Sequence, residues 1–342
     1  MSDPSNTNTT REDPDQVVAR AKAEHKPVAT WCLFSGGNDS TVLAHRCREH
    51  YDGLAFIDTG TAVPGVAEFV ADFAQWIGKP LRVMHAGDAF RKLVLGGSVR
   101  RNGTVEEGIG FPGPAMHSRS YRALKESQIK ALLRESKVGH SRRARVLFLS
   151  GIRRAESRRR SQRVPIDRLG GTAAVFANPL IDWTGEDMRR YRSEHELPES
   201  DAAALMHRSG ECNCGAFASA AAERATLKLL YPEFFSSIET LEAEAEAAGL
   251  QWCRWGGYDR DGQRATDTKR QSVGLLCESC DSRQHAPALP RVRPLRRPAC
   301  EQTTQGVGVA SGERKPARRR GELPSAPLPM LPAGHTKRER RP

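Results

Sequence analysis

The stretch that decides the fold covers residues 28–44, VATWCLFSGGNDSTVLA. Its first part, residues 28–34, is rich in β-branched, aromatic and aliphatic side chains, which is typical of a buried strand. A glycine-rich turn follows at residues 35–40, and residues 41–44 have the composition of a helix start. A strand, a turn and a helix in this order predict a βα unit. Its two glycines would let main-chain N–H groups turn inward towards an anion.

The glycine-rich turn has two interpretations. An ordinary turn capped by Asp39 or Ser40 would have the same composition, and composition alone supports both about equally. The strand before the turn and the helix after it favour a phosphate site. The chain contains no GxxxxGK[ST] pattern, so we do not expect the lysine and magnesium arrangement of a Walker A loop.

Beyond this unit, short apolar runs alternate with amphipathic helical stretches, as in parallel strands joined by crossover helices. The runs predict strands at residues 28–34, 54–57, 81–85, 146–150 and 173–177. We therefore predict an α/β fold, with an open, mostly parallel sheet and helices on both faces.

Composition divides the chain into parts. With 342 residues, 38% of them hydrophobic, it can bury one large core or two modest ones. Residues 286–342 carry +9 of the net charge of +12 and 10 of the 21 prolines, without a periodic apolar face. We expect a flexible N-terminal segment at 1–25, a nucleotide-binding α/β domain at 26–200, a helical four-cysteine module at 201–285 and a disordered Pro/Arg-rich tail at 286–342.

The sequence predicts a cytoplasmic protein without a membrane partner. No apolar run approaches the roughly 20 residues of a membrane-spanning helix, and the polar start lacks the apolar core of a signal peptide. In a reducing compartment, eight cysteines are too few for a disulfide scaffold, and clustered thiols indicate metal or redox groups.

Four of the cysteines form two close pairs. Cys212 and Cys214 make a CxC motif, and Cys277 and Cys280 make a CxxC motif after a gap of 62 residues. Brought together, two thiolate pairs complete a tetrahedral sulfur shell suited to structural zinc or to an iron–sulfur cluster. Buried, redox-inert cysteines are the alternative, but the clustering favours a metal.

The turn also carries a resemblance to a known family. SGGNDS at residues 35–40 resembles the SGGxDS pyrophosphate loop of the adenine-nucleotide alpha-hydrolase (PP-loop) superfamily, and its surroundings resemble the phosphoadenosine phosphosulfate (PAPS) reductase family. Four further segments agree in the family's order: FIDTG at 56–60, FPGP with RALK at 111–114 and 122–125, GIRRAES at 151–157, and NPLIDW at 178–183. Together the five matches span residues 28 to 200.

The resemblance implies an adenine-nucleotide site at the carboxyl ends of the strands, which line the ligand crevice of such a sheet. There Asp58 can reach ribose or a metal, and Arg153 and Arg154 can clamp phosphate or sulfate. The implied residues are Ser35, Gly36, Gly37, Asn38, Asp39, Ser40, Asp58, Thr59, Gly60, Lys125, Arg153 and Arg154. The alternatives are a strand-ending turn at 58–60, a solvated basic helix for the arginines and a surface position for Lys125.

The family also implies cofactors. Adenylyl-sulfate reductases and the sulfurtransferases of DNA phosphorothioation hold a four-iron four-sulfur cluster (4Fe-4S) on four cysteines, so the resemblance implies such a cluster at Cys212, Cys214, Cys277 and Cys280, with zinc as the alternative. The first pair here is CxC, where the reductases have adjacent cysteines. The substrate would be PAPS or ATP, with Mg if it is ATP.

Three functions are open at this point. A sulfonucleotide reductase uses a cysteine thiolate as nucleophile and a thiol reductant. The ECGxH signature that carries this cysteine in the family is missing here. Cys300 could serve as the nucleophile, although a lone tail cysteine is more often incidental. An ATP pyrophosphatase-type sulfurtransferase would take sulfur from a cysteine-desulfurase-type donor and act on nucleic acid. A non-catalytic protein would bind nucleic acid through the basic tail, which is otherwise a solubilising extension. We expect a PAPS reductase-like enzyme of sulfur metabolism, performing sulfonucleotide reduction or sulfur transfer.

Overall fold

A computed structural model describes residues 11–99, 102–156, 166–170, 173–218 and 220–264. The strands, in chain order, are β1 (Ala29–Leu33), β2 (Gly53–Asp58), β3 (Leu81–His85), β4 (Gly96–Val99), β5 (Val105–Glu107), β6 (Val146–Leu149), β7 (Asp167–Gly170) and β8 (Ala174–Ala177). The helices are α1 (Pro14–His25), α2 (Asn38–Arg46), α3 (Val66–Ile77), α4 (Ala89–Leu95), α5 (His117–Tyr121), α6 (Ser127–Glu135), α7 (Gly185–Glu194), α8 (Asp201–Met206), α9 (Ala220–Leu230) and α10 (Pro232–Ala247). A π-helical segment, Arg122–Glu126, joins α5 to α6.

Six strands form one sheet in the order β3-β2-β1-β6-β8-β7. The first five are mutually parallel, and β7 pairs with β8 in the antiparallel direction at the edge. The five parallel strands confirm the predicted α/β class. The edge strand β7 and the separate β4–β5 hairpin were not predicted, because neither has an apolar run that marks it in the sequence.

Helices cover both faces of the sheet, as predicted. Alternate side chains of β2 enter two different cores: Leu54 and Phe56 pack in one, and Ala55 and Ile57 in the other. The first core includes residues of α1, α2 and α3, and the second includes residues of α6. The carboxyl ends of β1, β2 and β6 therefore lie between two helical layers, which is where ligands bind in open α/β sheets.

Within the segment 1–25, which the sequence predicts to be flexible, residues 14–25 form the helix α1. Asp13 caps this helix by accepting a hydrogen bond from the main-chain N–H of Asp15, and Val17, Val18 and Ala21 are buried in the first core. The apolar face of α1 is thus tied to the sheet. Residues 1–10 lie outside the described residues.

The boundary expected at residue 200 does not separate two hydrophobic cores. Helices α9 and α10 bury Leu227, Phe235 and Ile238 in the same cluster as Phe56 of β2 and Phe73 of α3. Residues 201–264 are therefore part of the same α/β fold and complete its core. The rest of the expected cysteine module and the tail at 286–342 lie outside the described residues. Among the helices that are described, none is both long and apolar enough to cross a membrane.

Candidate functional site

Residues 35–40, which we call the phosphate loop after the site that the sequence predicts there, form a tight turn from the end of β1 into the first turn of α2. Gly36 has a φ of +74°, a conformation that favours glycine. The Ser40 hydroxyl donates to the Gly37 carbonyl at 2.8 Å and accepts from the Ser35 main-chain N–H at 3.2 Å. Gly37 is the N-cap of α2 and provides no side-chain cap, so the loop presents main-chain N–H groups and the positive end of the helix dipole to a ligand.

A distant part of the chain supports this loop. The buried Ser200 hydroxyl donates to the Gly36 carbonyl at 3.0 Å, and the Asn38 amide donates to Glu199 at 2.9 Å. A Cβ atom added at Gly37 would lie 2.9 Å from the Cβ of Ser209, so the two residues are packed without a gap. Sequence reasoning missed all three supporting residues. Only Ser200 carries a local signal, as a serine at the N-cap of α8.

Arg153 approaches the loop from the end of β6. Its side chain is almost fully buried and donates to Asp39 at 2.8 Å. Arg154, the next residue, forms an ion pair with Asp182. The structure therefore directs the Arg153 guanidinium to a carboxylate of the phosphate loop and the Arg154 guanidinium to the segment after β8.

Asp58 lies at the neighbouring strand end, where β2 and β3 finish in register. One carboxylate oxygen accepts from the Gly60 main-chain N–H at 2.9 Å, and the other lies 3.0 Å from Nδ1 of His85. Gly60 has a φ of +71°, and an added Cβ there would lie 2.8 Å from the Gly87 carbonyl. The turn thus holds the carboxylate at the crevice. His85 was not predicted as part of this edge.

The first cysteine pair lies in residues 211–214, which we call the cysteine segment. This segment packs against the turn that follows β2. The buried Thr59 hydroxyl donates to the Glu211 carbonyl at 2.7 Å, and the Thr61 hydroxyl lies 3.9 Å from the Cys212 sulfur. The Asn213 main-chain N–H donates to Thr61 Oγ1 at 3.1 Å. The structure therefore places the cysteine segment beside the carboxyl end of β2, next to the strand that carries the phosphate loop.

Lys125 faces the cysteine segment from the π-helical segment. Its ammonium lies 2.9 Å from a carboxylate oxygen of Glu211, whose side chain is buried. Burial lowers the pKa of Lys125, but the negative charges of Glu211 and Cys212 more than offset this and raise that pKa above its ordinary value. Lys125 is therefore a fixed positive charge beside two thiols.

The two thiols of the cysteine segment are chemically different. The hydrogen bond from the Cys214 thiol lowers the pKa of Cys212, assisted by Lys125 and opposed by burial. The same hydrogen bond and burial raise the pKa of Cys214. Because the thiolate is the form that binds metals, the lowered pKa favours metal binding by Cys212.

The described residues supply half of the expected metal ligands. No group of three or more His, Cys, Asp or Glu side chains within the described ranges is placed to hold a metal ion. Cys277, Cys280 and Cys300 lie outside the described residues. Cys32 and Cys253 are buried and nearly without solvent contact, as suits structural cysteines.

A comparison with protein-family profiles matches the α/β part of the chain. The sequence profile of the phosphoadenosine phosphosulfate reductase domain matches residues 29–201, half of the chain. No curated protein matches the sequence. Among solved structures, PAPS reductase from Candida auris in a phosphate complex is 17% identical, with a TM-score of 0.39 over 58% of this chain and 88% of that one. FMN adenylyltransferase from Candida glabrata, with FAD and inorganic pyrophosphate, is 11% identical, with a TM-score of 0.37 over 56% of this chain and 58% of that one.

Proposed function

Because the chain belongs to the phosphoadenosine phosphosulfate reductase family, we propose that it is an enzyme that binds an adenine nucleotide and performs sulfonucleotide reduction or sulfur transfer. The observation that carries the proposal is the meeting of two features at adjacent strand ends. The phosphate loop follows β1, and the cysteine segment is hydrogen-bonded to the turn after β2. A nucleotide whose phosphates occupy the loop would extend across β2 towards the thiols.

The loop's contacts support a role in phosphate binding. Main-chain N–H groups at a helix N-terminus bind an anion best when they are held in place before the ligand arrives. Ser200 and Arg153 provide that support, because each buried side chain donates a hydrogen bond to the loop. In this proposal Ser35–Ser40 bind the phosphates, Asp58, Thr59 and Gly60 face the ribose, and Lys125 and Arg154 attract the sulfate or phosphate charge.

The first candidate reaction is reduction of a sulfonucleotide. A cysteine thiolate attacks the sulfur, the bond between that sulfur and the bridging phosphate oxygen breaks, and the nucleotide leaves. A thiol of the reductant then attacks the resulting S-sulfocysteine, releasing sulfite and leaving a disulfide. Cys300 stays the candidate for the nucleophile and lies outside the described residues.

The second candidate is an ATP-dependent sulfurtransferase, and the missing ECGxH signature favours it. An oxygen of the acceptor attacks the α-phosphate of ATP, and pyrophosphate leaves. The terminal sulfur of a persulfide donor then displaces AMP, and a thiol reductant cleaves the resulting disulfide, which leaves the sulfur on the acceptor. The donor would be of the cysteine-desulfurase type, and the basic tail would contact a nucleic-acid acceptor.

We further propose that Cys212, Cys214, Cys277 and Cys280 hold an iron–sulfur cluster, with zinc as the alternative. The two described thiols fit such a group: they are hydrogen-bonded to each other, the pKa of Cys212 is lowered, and the Lys125 ammonium interacts favourably with the negative charge of both. When bound, a cluster would supply an electron-transfer or charge-polarising centre, whereas zinc would supply a structural cross-link.

The test uses anaerobically purified full-length protein. It is incubated with PAPS and thioredoxin, and separately with ATP and magnesium, and sulfite and pyrophosphate are measured. Sulfite supports the reductase, and pyrophosphate supports the sulfurtransferase. If neither forms and calorimetry shows no heat with ATP, AMP or PAPS, the proposal is wrong and a non-catalytic nucleic-acid-binding protein is favoured.

A matched pair of variants ties the activity to the loop. The double variant Ser35→Ala, Asp39→Ala should lose about 100-fold in rate, since it removes a hydroxyl and a positioning carboxylate from a charge-stabilising site. The control Ser193→Ala, Asp72→Ala changes the same residue types at exposed positions and should keep the full rate.

A further inference from the structure

One stretch of the described fold has a strongly basic composition. Residues 117–145 contain nine Lys and Arg side chains and two Glu side chains, a net charge of +7. Residues 1–285 as a whole carry +3, so the rest of that range carries −4. Outside the C-terminal tail, the excess positive charge is therefore concentrated in this stretch, and the proposed nucleotide site uses only Lys125 of it.

The stretch begins with a helical rod that is basic on one side. Helix α5, the π-helical segment and α6 follow one another without a break over residues 117–135, a length of about 28 Å. One side of the rod is buried through Leu124, Ile129 and Leu132. The exposed basic residues are Arg119, Arg122, Lys130 and Arg134. Neighbours in this set are three or four residues apart, except for Arg122 and Lys130, which one α turn and one wider π turn separate, so the four side chains lie on one side of the rod.

The turn after α6 adds two more arginines. The Lys137 ammonium donates to the Arg142 carbonyl at 2.5 Å, which ties residue 142 to the chain immediately after α6. The side chains of Arg142 and Arg143 are both exposed there. The basic face, as we call the whole set, consists of Arg119, Arg122, Lys130, Arg134, Arg142 and Arg143.

The acidic residues of the stretch do not neutralise the basic face. Glu126 pairs with Lys130, and Glu135 pairs with Arg82 of β3. No carboxylate among the described residues forms an ion pair with the five arginines of the basic face. Like charges three or four residues apart on a helix repel each other. The face therefore retains an unfavourable charge that a bound polyanion would compensate.

The arginine side chains also leave their strongest donors free. Arg122 and Arg134 each donate from Nε to the main-chain carbonyl four residues earlier, at 3.2 Å in both cases. Their terminal guanidinium nitrogens have no partner within the described ranges. Guanidinium groups with free terminal nitrogens bind phosphate oxygens well. The basic face thus presents a row of phosphate donors.

The basic face starts beside the candidate site. The ring of His117, in the first turn of α5, lies 4.5 Å from the ring of Phe217, measured between centroids. Phe217 follows Cys214 by three residues, and Lys125 of the same rod pairs with Glu211. A polyanion that lay along the basic face would therefore have one end next to the cysteine segment.

The character of the face distinguishes between classes of partner. A protein interface usually has an apolar core, whereas the large exposed apolar side chains described here are only Tyr121 and Val138. Proteins that bind single strands stack successive bases on several aromatic rings, and Tyr121 is a single one. Interfaces with duplex DNA are polar and strongly positive. A straight row of cations about 28 Å long matches the phosphates of about eight base pairs.

We propose that the basic face binds the phosphate backbone of duplex DNA. The contacts are electrostatic and made by the arginines, so the binding does not depend on base sequence. The inference goes beyond the proposed function, because the attraction requires only these charges, whichever reaction the nucleotide site performs. It also assigns to the fold itself a DNA surface that is separate from the basic tail.

The test measures the affinity of the full-length protein for a labelled duplex of about 16 base pairs, by fluorescence anisotropy at several salt concentrations. The triple variant Arg134→Gln, Arg142→Gln, Arg143→Gln should bind at least about 30-fold more weakly in about 0.1 M salt. The slope of log affinity against log salt should become shallower by about 2 to 3, since three phosphate contacts are lost. Replacing the same three residues by Lys keeps the charge and should keep the affinity within about threefold.

Two matched controls change the charge by the same amount elsewhere. Arg48→Gln, Arg189→Gln, Arg190→Gln removes three exposed arginines next to α2 and on α7, helices that pack in the first core. Arg318→Gln, Arg319→Gln, Arg320→Gln removes three arginines of the tail. Each control should lower the affinity less than about threefold. The melting temperature of the basic-face Gln variant without DNA should stay the same or rise, because repulsion on the rod is relieved.

Several results would overturn the proposal. Equal losses in all three Gln variants would show that only net charge attracts DNA. A larger loss in the tail variant would place the DNA surface in the tail. Tighter binding of a single strand or of an RNA duplex than of the DNA duplex would identify a different partner, and absence of binding in about 0.05 M salt would exclude the surface altogether.

The outcomes are separable from those of the proposed function. Binding of pyrophosphate, measured by calorimetry, depends on the phosphate loop and should be the same in all these variants. If pyrophosphate does not bind but the basic-face variant alone loses DNA, the nucleotide assignment fails and the DNA surface is supported. If pyrophosphate binds and the basic-face variant and its controls bind DNA alike, the DNA surface fails and the nucleotide assignment stands.

Discussion

The phosphate loop and the cysteine segment differ in how much of each predicted site lies within the described residues. The loop is supported on several sides, by Arg153 after β6, by the buried Ser200 and by Ser209. The cysteine segment is equally well anchored through Thr59 and Thr61, but only two thiols come from the described residues. The two features can therefore be tested separately, because each has its own set of supporting contacts.

Arg153→Met should have the largest effect, and only on the loop. It leaves the Asp39 carboxylate without its buried partner, which costs about 3 kcal/mol of unfolding free energy, and it should abolish measurable pyrophosphate binding. Urea unfolding and calorimetry measure the two effects. Arg82→Met removes an exposed ion pair to Glu135 and should cost less than about 1 kcal/mol. Similar losses in both variants would show that the buried pair does not support the loop.

Gly37→Ala should come next. The new methyl group would lie 2.9 Å from the Cβ of Ser209, so the loop and residue 209 must move apart. Overpacking of this kind costs about 1–3 kcal/mol, and we expect affinity for pyrophosphate to fall about tenfold. Gly185→Ala is the control, since its nearest neighbour is the end of the flexible Arg189 side chain. Unchanged affinity in Gly37→Ala would mean that Ser209 does not determine the loop's shape.

Thr61→Val addresses the cysteine segment. The change removes the hydroxyl that accepts from the Asn213 main-chain N–H and contacts Cys212, at a cost of about 1–2 kcal/mol. Metal bound per chain should fall, while pyrophosphate affinity should stay within about twofold. Thr226→Val, which removes an exposed hydroxyl on α9, should change neither quantity. A fall in pyrophosphate affinity equal to the loss of metal would contradict the separation of the two features.

The smallest expected effect is a pH dependence at the far end of α2. Burial, together with the nearby His195 and Arg48, lowers the pKa of His45 below its ordinary value of about 6.5. The unfolded chain then binds the proton more readily, so the stability contributed by neutral His45 is present at neutral pH and is lost as pH falls from about 6.5 towards the lowered pKa. His45→Gln should reduce the loss of melting temperature between about pH 7.5 and 5.5. An identical pH profile in both proteins would contradict this assignment.

Much of the fold could be predicted because its signals are local. Each of the five parallel strands is an apolar run, and the SGGNDS turn follows the first of them directly. The edge strand Asp167–Gly170 was missed because its four residues contain one aliphatic side chain. Helix α1 was not predicted, because the helical spacing of Val17, Val18 and Ala21 follows directly on a polar stretch that is typical of a flexible terminus.

The support of the site could not be predicted, because it comes from contacts between residues far apart in the sequence. Ser200 contacts Gly36 across 164 positions, and Glu211 contacts Thr59 across 152. Neither contact changes the local pattern of apolar and polar residues around it. The letters of the motif therefore predict a phosphate site, whereas the residues that hold the motif in shape are visible only in the three-dimensional structure.

In the short stretch of residues 199–214, the first two residues contact the phosphate loop, and two cysteines lie at the other end. The length of this stretch therefore fixes the position of the two thiols relative to the loop. One inserted residue between Ser200 and Cys212 would shift the thiols away from the turn after β2 while leaving every motif intact. A chimaera that takes residues 29–198 from a relative would need to take this stretch as well.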